Sequence, residues 1–128
     1  MRGLSGALLI GIGLLHTLFG LVVGRHRVTA IARDGLWNAV GSDLGRNSIL
    51  WFLFTGFVLL ILGHLCLWDE RTSLRPVPAL VGWELLALAA LGIVLMPASG
   101  FWLVLSVAVL IVFRAHRWKV LARAAPGR

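Results

Sequence analysis

Three ionisable side chains lie inside apolar runs of this sequence: His16, His64 and Glu84. A second set, Asp34, Asn38, Asp43 and Arg46, occupies a polar stretch just ahead of the aromatic run that opens with Trp51 and Phe52. An ionisable group in hydrocarbon is costly, and so is a functional candidate by default. Carboxylate, imidazole and amide groups gathered at an apolar mouth can orient a lipophilic ligand, or exchange a proton with it. For binding, the expected set is His16, Trp37, Asn38, Arg46, Trp51, Ser99 and Trp102. For acid–base chemistry, Asp34 or Asp43 is the expected proton donor and His16 its partner. Trp37, Trp51 and Trp102 would then stabilise cationic charge with their ring faces. A structural reading competes: Asp34, Asn38 and Arg46 satisfy the backbone of a folded loop and anchor it to His16.

The elements that must position these groups are set by composition. With 59% hydrophobic and 13% charged residues and a mean hydropathy of +0.94, the chain is too apolar for a soluble domain. Runs of about 20 apolar residues match a hydrocarbon layer of ~30 Å. Four such runs predict helices over residues 4–23, 48–67, 77–96 and 100–118, followed by a basic tail to 128. The expected fold is therefore all-α, an integral membrane four-helix bundle forming one domain over 1–128. A long loop, with a short interfacial helix over 28–36, joins the first two spans. The first run is longer than the ~7–15 residues of a signal-peptide core and reads as a retained helix despite Arg2 before it and Ala30-Ile31-Ala32 after it.

Gly6, Gly13, Gly20 and Gly24 fall on one face of the first helix, with His16 in the middle of that stripe. Small residues allow close helix approach in lipid, so His16 should face protein, and the glycine face is also the candidate surface for homo-oligomers. Lys and Arg number eight on the side of both termini (Arg2, Arg71, Arg75, Arg114, Arg117, Lys119, Arg123, Arg128) and four on the other (Arg25, Arg27, Arg33, Arg46). Positive-inside reasoning puts both termini in the cytoplasm of a multi-pass inner or plasma membrane protein, with the long loop outside.

At 1.5 Å per residue, His16 and His64 differ in depth by on the order of 13 Å, too far to share a haem iron. No zinc-type spacing of Cys and His occurs, and no metal or cofactor is expected. His64 and Glu84 form a second polar pair near the cytoplasmic surface, either a buried proton relay or, on the plainer reading, a Glu84 that reaches water or Arg75. Trp68-Asp69-Glu70-Arg71 marks the exit of the second span into water. Cys66 is the only cysteine, so no internal disulfide can form, and it reads as a small buried hydrophobe. The net charge of +7 lies in loops and tail, where lipid headgroups account for it better than nucleic acid does.

Gly13 to His16, Asp34-Gly35-Leu36-Trp37-Asn38-Ala39-Val40, Arg46 with Trp51-Phe52-Leu53-Phe54, and Gly82-Trp83 through Leu95-Met96-Pro97-Ala98-Ser99-Gly100-Phe101-Trp102-Leu103 carry a resemblance. On these segments the chain resembles a family of small bacterial four-helix membrane proteins known only as a domain of unknown function. The resemblance implies the fold and supports the cluster around the first loop; Glu84 stands outside its pattern, and it names no reaction. The leading expectation is a membrane protein that binds a lipophilic molecule (isoprenoid-, quinone- or lipid-like) in a polar pocket on the outer half of the bundle. The alternatives are an acid–base isomerase or cyclase of an isoprenoid-like substrate at the same site, and an accessory subunit of a membrane complex.

Overall fold

The computed structural model describes residues 3–73 and 75–124. Arg2 and Arg128, counted above for orientation, lie outside them. Five helices follow one another: α1 Leu4–Val23, α2 Arg25–Arg33, α3 Leu44–Thr72, α4 Ala79–Leu95 and α5 Phe101–Ala124. Among the described residues α1, α3 and α5 are long and apolar enough to cross a membrane, and α4 is a shorter apolar helix of 17 residues. An all-α chain with three such helices fits a membrane protein.

The boundaries move from those expected, for local reasons. α3 begins at Leu44, four residues before the expected start at 48, because Asp43 caps it: its side chain accepts a hydrogen bond from the Arg46 N–H at 3.0 Å. An Asp at this position satisfies an otherwise orphaned donor of the first turn. At the other end α3 runs past 67 to Thr72, carrying Glu70 along the same face as Gly56, Leu59, Gly63 and Cys66, all buried. α5 likewise continues from 118 to Ala124. The short helix expected over 28–36 is α2, displaced to 25–33, with Gly24 joining it to α1.

Packing follows the small residues. α1 and α3 lie antiparallel, and the glycine stripe of α1 lies against Leu67, Leu60, Phe52 and Ile49 of α3. At Gly6 a Cβ would stand 2.3 Å from the backbone nitrogen of Leu67. The face offered above for homo-oligomers is thus the one on which α3 of the same chain packs. Gly82 and Gly92 admit α5 onto α4 in the same way, against Val112 and Phe101. The two hairpins meet through α1 and α5, so the helices are ordered α3, α1, α5, α4, and among the described residues the backbones of α3 and α4 make no close approach. The buried core (Leu9, Cys66, Val77, Leu85, Ala89, Val104, Val107, Ala108, Ile111) joins residues of both hairpins.

If the α1–α3 seam depends on this approach, Gly6→Ala should lower stability in detergent by about 1–3 kcal/mol through overpacking. Gly11→Ala is the control on the same helix, because nothing lies within 4 Å of its added Cβ. Thermal melting of the two variants should separate them, with only Gly6→Ala melting lower.

Candidate functional site

The loop between α2 and α3 is organised around Arg46. Its Nη1 donates to Asp34 Oδ2 at 2.7 Å and to the Ala39 carbonyl oxygen, and its Nε lies 3.6 Å from Asp43 Oδ2. Leu36 and Asn38 hold left-handed backbone at φ 67° and 51°, conformations that cost a non-glycine residue of order 1 kcal/mol and persist where surrounding contacts over-determine them. The Arg46 clamp spans them from both sides. The N–H of Arg46 bonded to the Asp43 carboxylate holds that carboxyl below its ordinary 3.8, and the Gly45 N–H and the charges of Arg46 and Arg27 add to the effect. Trp37 projects into the surroundings, 94% exposed.

His16 is tied to α3 rather than to the loop. Its Nε2 lies 3.0 Å from the Phe52 carbonyl oxygen, and its ring stacks on Phe52 at 3.9 Å between centroids, 13° from parallel. It therefore faces protein, as its place in the glycine stripe predicts. No described hydrogen bond or ion pair joins it to Asp34, Asn38, Asp43 or Arg46. Trp51 is exposed and meets Phe54 edge-on at 5.8 Å. Ser99 and Trp102 build the turn between α4 and α5: Trp102 Nε1 donates to the Pro97 carbonyl oxygen at 2.9 Å, and Ser99 Oγ accepts from the Phe101 N–H. The expected single constellation is thus three local structures: a loop clamp, a His16–Phe52 stack and a tight turn. His64 and Glu84 are not brought together either. They stand on α3 and α4, whose backbones make no close approach among the described residues, and the ring Nδ1 of His64 lies 2.7 Å from the Leu60 carbonyl oxygen of its own helix.

A groove opens instead between α2 and α3. It holds about 260 Å³ and is lined by Arg27, Gly45, Ser48, Ile49 and Phe52. Arg27 and Ser48 supply a polar rim, while Ile49 and Phe52 form an apolar floor. The far face of that floor is the His16 stack, so His16 supports the groove without lining it. Among the described residues no group of three or more His, Cys, Asp or Glu is placed to hold a metal ion.

A family model described as a family of unknown function, DUF6463, matches residues 1–118. The chain belongs to the DUF6463 family. Neither a curated protein nor a solved structure matches it. The matched range of this DUF6463 chain includes the loop clamp, the groove and one further cluster that sequence reasoning missed.

That cluster lies at the opposite end of the bundle. Glu70, 2% exposed, accepts from the Gly6 N–H at 3.2 Å and from Arg114 Nη1 at 2.9 Å, and the same nitrogen of Arg114 donates to Ser5 Oγ at 3.2 Å. Gly6 belongs to the first turn of α1, whose own N-cap, Gly3, offers no side chain. Glu70 therefore caps α1 from α3, and Arg114 of α5 neutralises it. Glu70 does not mark an exit into water. The signal was present in the spacing, since Glu70 continues the face of Gly63 and Cys66, and Arg114 that of Ile111. The polar run from Asp69 to Ser73 concealed it.

Two measurements follow. Asp43 has a lowered folded pKa, so its cap is complete above the unfolded value of 3.8 and is lost as pH falls through the folded value. Amide exchange at residues 44–47 should accelerate below about pH 4 in wild type, and Asp43→Asn, which still caps, should remove that pH dependence. Glu70→Ala leaves Arg114 without its buried carboxylate and should cost about 3–5 kcal/mol in detergent unfolding. Replacing both Glu70 and Arg114 by Leu should recover a large part of that loss.

Proposed function

We propose that this DUF6463 protein is a four-pass membrane protein that binds a lipophilic, membrane-resident molecule in the groove between α2 and α3. The fourth span in this reading is α4, whose 17 residues reach roughly 25 Å at 1.5 Å per residue, the short end of the spanning range. The Lys and Arg distribution orients both termini to the cytoplasm, in an inner or plasma membrane. The groove then opens in the outer half of the protein, and α2 with its arginines and the exposed Trp37 lies among headgroups.

The observation that carries the reading is the make-up of the groove: an arginine and a serine above an isoleucine and a phenylalanine, with the phenylalanine held by the His16 stack. Its volume of about 260 Å³ is below the ~300–1,000 Å³ of pockets that enclose a whole drug-sized ligand. Such a groove suits one part of an amphiphile whose remainder stays in the bilayer. It suits a cyclase poorly, because that chemistry needs a closed cavity that excludes water. Asp34, Asp43 and Arg46 are already engaged with one another, and Trp37, Trp51 and Trp102 belong to separate structures. Binding is therefore the reading the geometry supports over acid–base catalysis.

Mass spectrometry of organic extracts from purified wild type and Ile49→Trp tests this. A bulky ring at 49 fills the groove floor; it changes the contact at Gly24 but leaves those at Gly6, Gly13 and Gly20 and the Arg46 clamp in place. The expected result is a lipophilic species enriched in wild type and lost from a normally melting Ile49→Trp. Equal amounts in both proteins would sink the proposal.

A further inference from the structure

The groove has a polarity gradient, and that gradient selects a class of ligand. Gly45 and Phe52 are separated by about 10 Å along α3 at 1.5 Å per residue. Over that length the lining passes from a guanidinium at Arg27, through Ser48, to the hydrocarbon and ring of Ile49 and Phe52. Arg27 lies one turn beyond Val23, the last residue of the apolar α1, and so at headgroup depth when α1 spans. The order of chemistry along the groove is that of a lipid, with charge above and acyl chain below.

The arginines at this end are not equivalent. Arg46 is engaged by Asp34, Asp43 and the Ala39 carbonyl, and Arg25 Nε donates to His26 Nε2 at 3.3 Å. Arg33 closes the last turn of α2, outside the groove. The Arg27 side chain makes no hydrogen bond or ion pair among the described residues, its backbone N–H alone donating to the Gly24 carbonyl oxygen. Its charge does reach Asp43, but that carboxylate already accepts from the Arg46 backbone and faces its guanidinium. Gly45 is what lets Arg27 lie at the rim: a Cβ there would stand 2.7 Å from its Nε. Four arginines against two aspartates, Asp34 and Asp43, leave +2 on α2, the loop and the start of α3. A guanidinium fork with uncommitted donors, in a basic surround, matches the oxygens of a phosphate.

We infer that the groove binds an anionic phospholipid of the surrounding bilayer, with the phosphate on Arg27 and the first acyl segment over Ile49 and Phe52. This rests on the binding reading above and names the class of its ligand. Native mass spectrometry of the full chain, titrated with phosphatidylglycerol or phosphatidylcholine of matched chains, provides the test. Wild type should prefer phosphatidylglycerol roughly tenfold, the order expected of one charge-assisted contact near a surface. Arg27→Gln should abolish that preference and keep the weaker phosphatidylcholine binding, and Gly45→Ala, which displaces Arg27, should reduce it. Arg33→Gln should retain it. A preference that survives Arg27→Gln, or that Arg33→Gln diminishes equally, would overturn the assignment while leaving the groove a binding site. Ile49→Trp should weaken both lipids; unchanged binding of both would instead remove the groove reading itself.

Discussion

Lipid tails are as apolar as the helices they surround, so in a membrane helices gain little by simple burial and must hold together through close packing and polar contacts. For this chain, whose three long apolar helices could span a membrane, that constraint would fall on the seam between α1 and α3. Gly6, Gly13 and Gly20 of α1, Gly24 at its end, and Gly56 and Gly63 of α3 bring the backbones close enough that most added Cβ atoms would strike the opposite helix. Every other feature is referenced to this pair. The loop clamp closes over its one end, the Glu70 cluster locks its other end, and the groove lies along its flank.

The Glu70 cluster shows how a charge is accommodated in such a seam. A carboxylate buried alone would be prohibitive, but here it meets two needs at once, an uncapped helix start and an arginine from the last helix. Both described polar contacts between the two hairpins run through Arg114, to Glu70 and to Ser5. The remainder of the α1–α5 junction is apolar packing around Leu9, Ala108 and Ile111. Register between the hairpins is thereby fixed at the end that carries both termini.

At the opposite end the polar residues have been absorbed into local structure. Asp34, Asp43 and Arg46 hold a loop with two left-handed non-glycine residues, and His16 braces Phe52. Beside them lies the groove lined by Arg27, Gly45, Ser48, Ile49 and Phe52. In the proposed reading, the residues that looked chemical maintain the shape, and the less conspicuous Arg27, Ile49 and Phe52 present the binding surface.

Hydropathy and the spacing of small residues by themselves determined that the chain is all-helical, where its apolar helices lie to within a few residues, and that His16 faces protein. These are local properties, read from a window of one or two turns. Pairing was decided only by the tertiary structure. Nothing in the sequence states that α1 takes α3 on its glycine face, or that consecutive α3 and α4 stay apart; both follow from which small-residue stripes fit each other. The site moved for the same reason. Asp34, Asn38, Asp43, Ser99 and Trp102 were expected to converge at one level along the bundle axis, but level is only one coordinate, and lateral position depends on helix order. Glu70 was hidden by its neighbours Trp68, Asp69 and Arg71, since a polar run at a helix end reads as water until a partner helix with its own unsatisfied N–H is placed beside it.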